Sequence, residues 1–168
     1  TYSRTASRRI ASRARAGRVD LDPMTLRVVQ WATGGVGVAA IKGVLEHPEL
    51  ELVGCWVHSE AKAGRDVGDI IGIPPLGVTA TSSLEDILGL DADAVIYAPL
   101  LPNLDEVTAL LRSGKNVISP IGWFYPGASE AAPLEAAARE GGVTLHGAGI
   151  GPGAATELFP LLLSVMST

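Results

Sequence analysis

The apolar positions of the chain alternate between two rhythms. Leu26–Trp31 is a short β-rich run. After glycines 34, 35 and 37 the spacing becomes helical as far as Glu46, where His47-Pro48 stops it, because proline disfavours a helical conformation in the residue before it. Leu50–Val57 is a second strand. Residues 58–76 read as irregular, punctuated by Gly64, Gly68, Gly72 and Pro74-Pro75, and lead to a short strand at Gly77–Ala80. Ser82 and Glu85 have the spacing of a capping box and open a short helix to Leu88. Asp93–Ala98 is almost continuously apolar, as a strand covered on both faces is. Asn103, with Glu106 three residues on, caps a helix that lines up Leu104, Val107, Leu110 and Leu111 on one face and ends at Gly114. Asn116–Ser119 is the next strand. Ala128–Glu140 is an Ala-rich helix with Pro133 near its first turn and Gly141-Gly142 at its end. Val143–His146 is the last strand, and a second Gly-rich turn at 147–153 leads into a final helix.

Strands alternating with helices through short connections predict parallel strands joined by right-handed crossovers. Six of them fit the α/β doubly wound sheet of order 3-2-1-4-5-6, in which ligands bind at the carboxyl ends of the strands where the order reverses. The 168 residues suit one domain, and 47% hydrophobic content excludes a disordered chain. Charge divides the sequence further. Residues 1–23 hold six Arg against two Asp, a balance of +4, so with −5 for the whole chain the remainder carries −9. That remainder argues against a nucleic-acid partner. The Arg- and Ser-rich front segment reads as a disordered tail. Met24 stands just before the first strand and reads as the natural start, with a transit peptide as the alternative. Cys55 is the only cysteine, which rules out an internal disulfide and a Cys-based metal site and points to a reducing, cytoplasmic setting. The longest apolar stretch, Leu158–Met166, contains Pro160 and Ser164 and is far short of the ~20 residues that span a bilayer, so no membrane partner is expected.

The first Gly-rich turn carries the chemistry. Ala32-Thr33-Gly34-Gly35-Val36-Gly37 follows a strand and opens a helix, and it approaches G-x-G-x-x-G with Ala32 in place of the first glycine. Gly34 lets backbone N–H groups come close to a diphosphate. The helix N-terminus offers unpaired donors and a partial positive charge, and Gly37 allows the helix to pack on the strand. Ala32 costs little there if its backbone angles are ordinary. Thr33, Gly34, Gly35, Val36 and Gly37 are therefore the candidate diphosphate cradle of a dinucleotide site. The plainer alternative is a tight β–α turn. His58-Ser59, at the end of the second strand, is where an adenosine ribose would lie. An NAD site usually carries a carboxylate there. Ser59 with Lys62 and Arg65 nearby favours the 2′-phosphate of NADP, whereas the alternative gives Glu60 the NAD role and leaves the two cations solvated. Ala98 and Pro99 end the third strong strand and can wall the nicotinamide, together with Ser119 and Gly149.

Trp123-Phe124-Tyr125 suit either a ligand wall or a core plug. His146 is a structural histidine or, alternatively, a proton carrier. Cys55 reads as inert core, His47 as a helix-end residue, and Glu157 as solvent-facing. The sequence contains no Ser–His–Asp pattern, no metal-ligand spacing and no Gly-Lys-Ser/Thr, so an NTPase and a metal site are not expected.

Three stretches resemble one family: RVVQWATGGVG at 27–37, LEHPELELVG at 45–54, and LHG-x-GI-x-PG at 145–153. They are similar to the dihydrodipicolinate reductase-like proteins, and within them to the 2,4-diaminopentanoate dehydrogenase-like branch, over residues 24–168. The resemblance implies a two-domain oxidoreductase that moves hydride between NADP or NAD and a carbon–nitrogen centre of a small-molecule substrate. Residues 24–152 would be its NAD(P)-binding Rossmann domain. A second domain would supply most substrate contacts and the surface of a homo-oligomer, and residues 153–168 would be its start. Catalytic groups would then lie outside this chain. Gly35 and Gly151 depart from the Asn that relatives usually place there. The competing reading is a non-catalytic dinucleotide-binding module.

Overall fold

The strand β1 (Leu26–Trp31) lies in the middle of a six-stranded sheet of order β3-β2-β1-β4-β5-β6. The computed structural model describes residues 25–165; the expectations for residues 1–23 and Met24 lie outside the described residues. The other strands are β2 (Leu50–Trp56), β3 (Ala80–Thr81), β4 (Ala94–Tyr97), β5 (Asn116–Ser119) and β6 (Leu145–Gly147). Every neighbouring pair runs parallel. The crossovers carry α1 (Gly35–Glu46), α2 (Val67–Ile71), α3 (Leu84–Gly89), α4 (Leu104–Arg112) and α5 (Ala128–Gly141). This is the doubly wound α/β architecture that the alternation predicts, and the order reverses between β1 and β4.

Alternation along β1 divides the core. Val29 and Trp31 join Val95, Tyr97, Leu110, Leu111, Val117 and Leu134 under α3, α4 and α5. Val28 joins Ile41, Val44, Leu52, Cys55 and Val67 under α1 and α2. Each large apolar side chain buried in these clusters contributes about 1.5–3 kcal/mol. The apolar stripe of α4 turns Val107, Leu110 and Leu111 fully inward, and its start is fixed by Asn103 Oδ1, which accepts from the N–H groups of Asp105 (3.0 Å) and Glu106 (3.4 Å).

Local departures have local causes. Between Arg65 and Ile71 the chain forms α2, which is too short for its periodicity to show in the sequence. Its cap is Asp66, whose carboxylate accepts from the N–H groups of Gly68 (2.7 Å), Leu76 (2.9 Å) and Gly77 (2.7 Å). These donors favour the charged form and hold the Asp66 carboxyl below its usual pKa. β3 is confined to Ala80–Thr81 instead of Gly77–Ala80, because Gly77 has φ +74° and Thr79 bridges Asp66 antiparallel. The cap of α3 is Ser83, one residue after the expected Ser82. Ser83 Oγ accepts from Asp86 N–H (3.1 Å), while the Ser82 carbonyl accepts from Trp56 Nε1 (3.1 Å). β6 starts at Leu145, since Val143 N–H still closes α5 by donating to the Ala138 carbonyl. Pro133 lies in the second turn of α5. The C-terminal stretch is a π-helical segment, Ile150–Leu158, followed by α6 (Phe159–Val165), whose apolar side chains are exposed.

Candidate functional site

Past the end of β1 the ladder continues for one more bond, from Ala32 N–H to the Trp56 carbonyl (2.8 Å). The chain then bends. Ala32 has φ +71°, a left-handed conformation that costs a non-glycine residue about 1–2 kcal/mol. The condition of ordinary angles at Ala32 is not met: the position has the backbone demand of the glycine it replaces. Gly37 has a different reason to be glycine. A Cβ there would press into the Ala32 carbonyl and reach 3.1 Å from Gln30 Nε2, so the first turn of α1 packs directly on the bend. At Gly34 and Gly35 an added Cβ would meet nothing, so the face of the turn is open space. Gly34 caps α1 without a side-chain hydrogen bond, and the first turn holds no acidic residue. The partial positive end of α1 therefore meets that space without a built-in counter-charge.

The space is a crevice of about 930 Å³ with mostly apolar walls, at the carboxyl ends of β1, β2 and β4. Thr33, Gly34, Gly35, Val36, His58, Ser59, Ala98 and Pro99 all line it. Gly37 lies beneath, against the bend. Lys62 crosses the mouth of the turn, with Nζ donating to Thr33 Oγ1 at 3.0 Å. A turn that starts at the Ser59 carbonyl, which accepts from Lys62 N–H and Ala63 N–H, carries it there. Arg65 and Glu60 are exposed and do not line the crevice.

Ser119 and Gly149 do not line the crevice either. Ser119 is buried, and its hydroxyl donates to the Ile121 carbonyl while accepting from Ile121 N–H (3.2 Å). Gly149, at φ +136°, lies near Pro120. The aromatic run splits. Trp123 packs into the core 6.2 Å from Tyr97, Phe124 covers Gly147, and Tyr125 is 90% exposed. His146 is exposed on the edge strand and off the crevice. Burial pushes the Cys55 thiol up to about 12, which keeps it protonated and inert.

An aromatic floor underlies the crevice. Trp31 is fully buried and stacks on Trp56 with centroids 4.3 Å apart and planes 10° off parallel; Tyr97 lies 5.6 Å from Trp31. The Tyr97 hydroxyl donates to Glu106 (2.6 Å) and accepts from Asn103 N–H (3.0 Å). Burial, with Glu106 as second cause, raises its pKa above the usual phenol value. Glu106, Trp56 and residues 101–104 also line the crevice, a role that the sequence pattern does not show for them. Glu106 was legible only as a cap partner. Trp56 falls inside the Leu50–Val57 run, where nothing in the pattern sets it apart from the other strand residues. Among the described residues no group of three or more His, Cys, Asp or Glu could hold a metal ion, and no helix is long and apolar enough to cross a membrane.

Comparison with known proteins follows the same lines. Residues 28–119 match the family described as dihydrodipicolinate reductase, N-terminus. An amine dehydrogenase of Streptomyces virginiae is 38% identical over 156 residues, which is 85% of this chain and 43% of that protein. A 4-hydroxy-tetrahydrodipicolinate reductase of Synechocystis is 39% identical over 71 residues, 42% of this chain and 25% of that protein. The structure of an amine dehydrogenase from Mycobacterium smegmatis superposes with a TM-score of 0.73 at 22% identity, covering 83% of this chain and 44% of that one. The chain spans less than half the length of each of these relatives.

Proposed function

The chain belongs to the dihydrodipicolinate reductase N-terminal family, and from that premise we propose that it is the cofactor-binding half of an NAD(P)-dependent oxidoreductase acting at a carbon–nitrogen centre. The observation that carries the reading is the open, uncapped N-terminus of α1 facing a crevice at the point where the strand order reverses. Thr33, Gly34, Gly35 and Val36 present backbone donors to a diphosphate. His58 and Ser59, at the end of β2, lie at the adenosine ribose, and Ala98 and Pro99, past β4, wall the nicotinamide. The bound nicotinamide supplies the hydride chemistry. The residues of this chain orient it, exclude water with their apolar walls, and leave one of its faces to a small-molecule substrate carrying an amine or imine.

NADP is the preferred cofactor in this reading. No carboxylate from the end of β2 lines the crevice, and Lys62 does, with its ammonium beside Thr33 and within the same cavity as Ser59. A 2′-phosphate gains a charge-assisted partner there, whereas the usual NAD arrangement lacks its acid. Titration of the chain with NADPH and with NADH, followed by tryptophan fluorescence, tests this. Trp56 lines the crevice and stacks on Trp31, so saturable quenching is expected, at lower concentration for NADPH. The absence of a saturable change with either cofactor at millimolar levels overturns the proposal.

A further inference from the structure

Gln30 is a polar residue in the most buried strand of the sheet, with no exposed surface. Its amide Nε2 donates twice, to the Trp31 carbonyl (2.9 Å) and to the Ala32 carbonyl (3.0 Å). Its Oε1 has no hydrogen-bond partner among the described residues. The orientation of the amide is forced, since the opposite one would set Oε1 against two carbonyl oxygens. A buried acceptor left unmatched is a cost that the fold bears in order to keep both N–H groups on the bend.

The geometry points to a purpose for it, and we propose that Gln30 is a positioning residue for the diphosphate cradle, an inference that rests on the dinucleotide-binding reading. In a trans peptide the C=O and the following N–H point in opposite directions. Gln30 holds the Ala32 carbonyl inward, and the first turn of α1 packs beside this bond at Gly37, leaving no room for a Cβ. The Thr33 N–H of the same peptide is thereby turned away from Gln30 and towards the crevice that Thr33 lines. The Ala32 N–H, in the preceding peptide, is committed to the Trp56 carbonyl, so the Thr33 N–H is the donor this bend has left to offer, and its direction is fixed by the Ala32 carbonyl. Ala32 at φ +71° has no glycine freedom to reach this arrangement without strain. The two bonds from Gln30 hold it there.

The test separates the cradle from the rest of the site. Gln30→Met keeps the volume and removes both donors. Binding is measured for NADPH and for ADP-ribose, which engage the cradle, and for adenosine 2′-monophosphate, which lacks a diphosphate. NADPH and ADP-ribose are expected to weaken by about tenfold or more, with adenosine 2′-monophosphate changed by less than about twofold. Equal loss for all three ligands, or no loss for ADP-ribose, overturns the role of Gln30. Failure of the unaltered chain to bind NADPH overturns the dinucleotide reading beneath it instead. Gln30→Glu is the second variant, needed if Gln30→Met does not fold. Its protonated acid can donate one bond where its carboxylate can donate none, so its ADP-ribose affinity is expected to recover as pH falls. A pH profile parallel to that of the unaltered chain overturns the proposal.

Discussion

Lys62 Nζ lies 3.0 Å from Thr33 Oγ1, so a cation from the loop after β2 rests on the turn after β1. The two loops meet over the crevice, and the ammonium is the cation they bring to it. Replacement of Lys62 by Ala is expected to weaken NADPH about tenfold while leaving NADH within about twofold, because only the former carries the phosphate that the ammonium can pair with. Paired affinity measurements on both cofactors check this. A parallel loss of both would assign Lys62 to the shape of the turn alone.

The bend itself makes opposite demands at two positions. Gly37→Ala drives a methyl into the Ala32 carbonyl, and nothing flexible stands there to give way. It is expected to cost about 1–3 kcal/mol, as overpacking does. Ala32→Gly relieves a left-handed alanine and is expected to be neutral or stabilising by up to about 1 kcal/mol, the gain in the fold being offset by the extra freedom of the unfolded chain. Urea unfolding of the two variants beside the unaltered chain reads both signs.

These two residues also mark where the sequence was legible. The G-x-G-x-x-G spacing identifies the turn and the demand for Gly37, because a helix must pack on a strand there. It does not reveal that Ala32 adopts the angles of the missing glycine, since that is settled by Gln30 and Gly37 in three dimensions. The strand β4 is readable because burial on both faces writes a continuous apolar run, and β1, β2 and β5 because short β-rich runs stand between glycine and proline breaks. β3, two residues long, and α2, five residues long, are held by Asp66 and its backbone donors, a long-range arrangement with no periodic trace. A place at a strand end points Ser119 towards the crevice, yet its hydroxyl closes its own loop on Ile121. Gln30 was the overlooked signal: a glutamine within an apolar strand must have partners to be buried at all.

Tyr97 couples β4 to the start of α4 by donating to Glu106 and accepting from Asn103 N–H. Tyr97→Phe keeps the ring against Trp31 and Trp123 and removes only the hydroxyl. The loss is expected to be about 1–2 kcal/mol, because both former partners sit at a half-buried helix start. A double-mutant cycle with Glu106→Gln reads how much of it belongs to the pair. Independent effects of the two substitutions would show that the contact adds nothing to stability.

Asp66 gives the fold an acid-sensitive joint. Its carboxyl is held below the usual pKa by N–H donors from Gly68, Leu76 and Gly77, so it favours the folded chain in its charged form. That contribution is complete above the pKa of an unfolded aspartate and is lost as pH falls through the lower folded value. Asp66→Asn removes the titration. Its stability is expected to change less with pH on the acid side than that of the unaltered chain, while being lower at neutral pH. Thermal unfolding across an acid-to-neutral series checks the slope.

The apolar side chains of Leu161, Leu162, Leu163 and Val165 are each more than half exposed, and α6 buries none of its residues. Scattered surface leucines are ordinary, but four exposed apolar side chains within five residues of one short helix are a concentration of the kind that drives association. The chain as it stands is therefore expected to associate as its concentration rises. Replacing Leu161 and Leu163 by Ser should reduce that association without altering NADPH affinity, because neither residue lines the crevice. Light scattering over a concentration series, run beside the cofactor titration, separates the two properties. A unaltered chain that stays monomeric throughout the series would show that this surface does not attract a second copy.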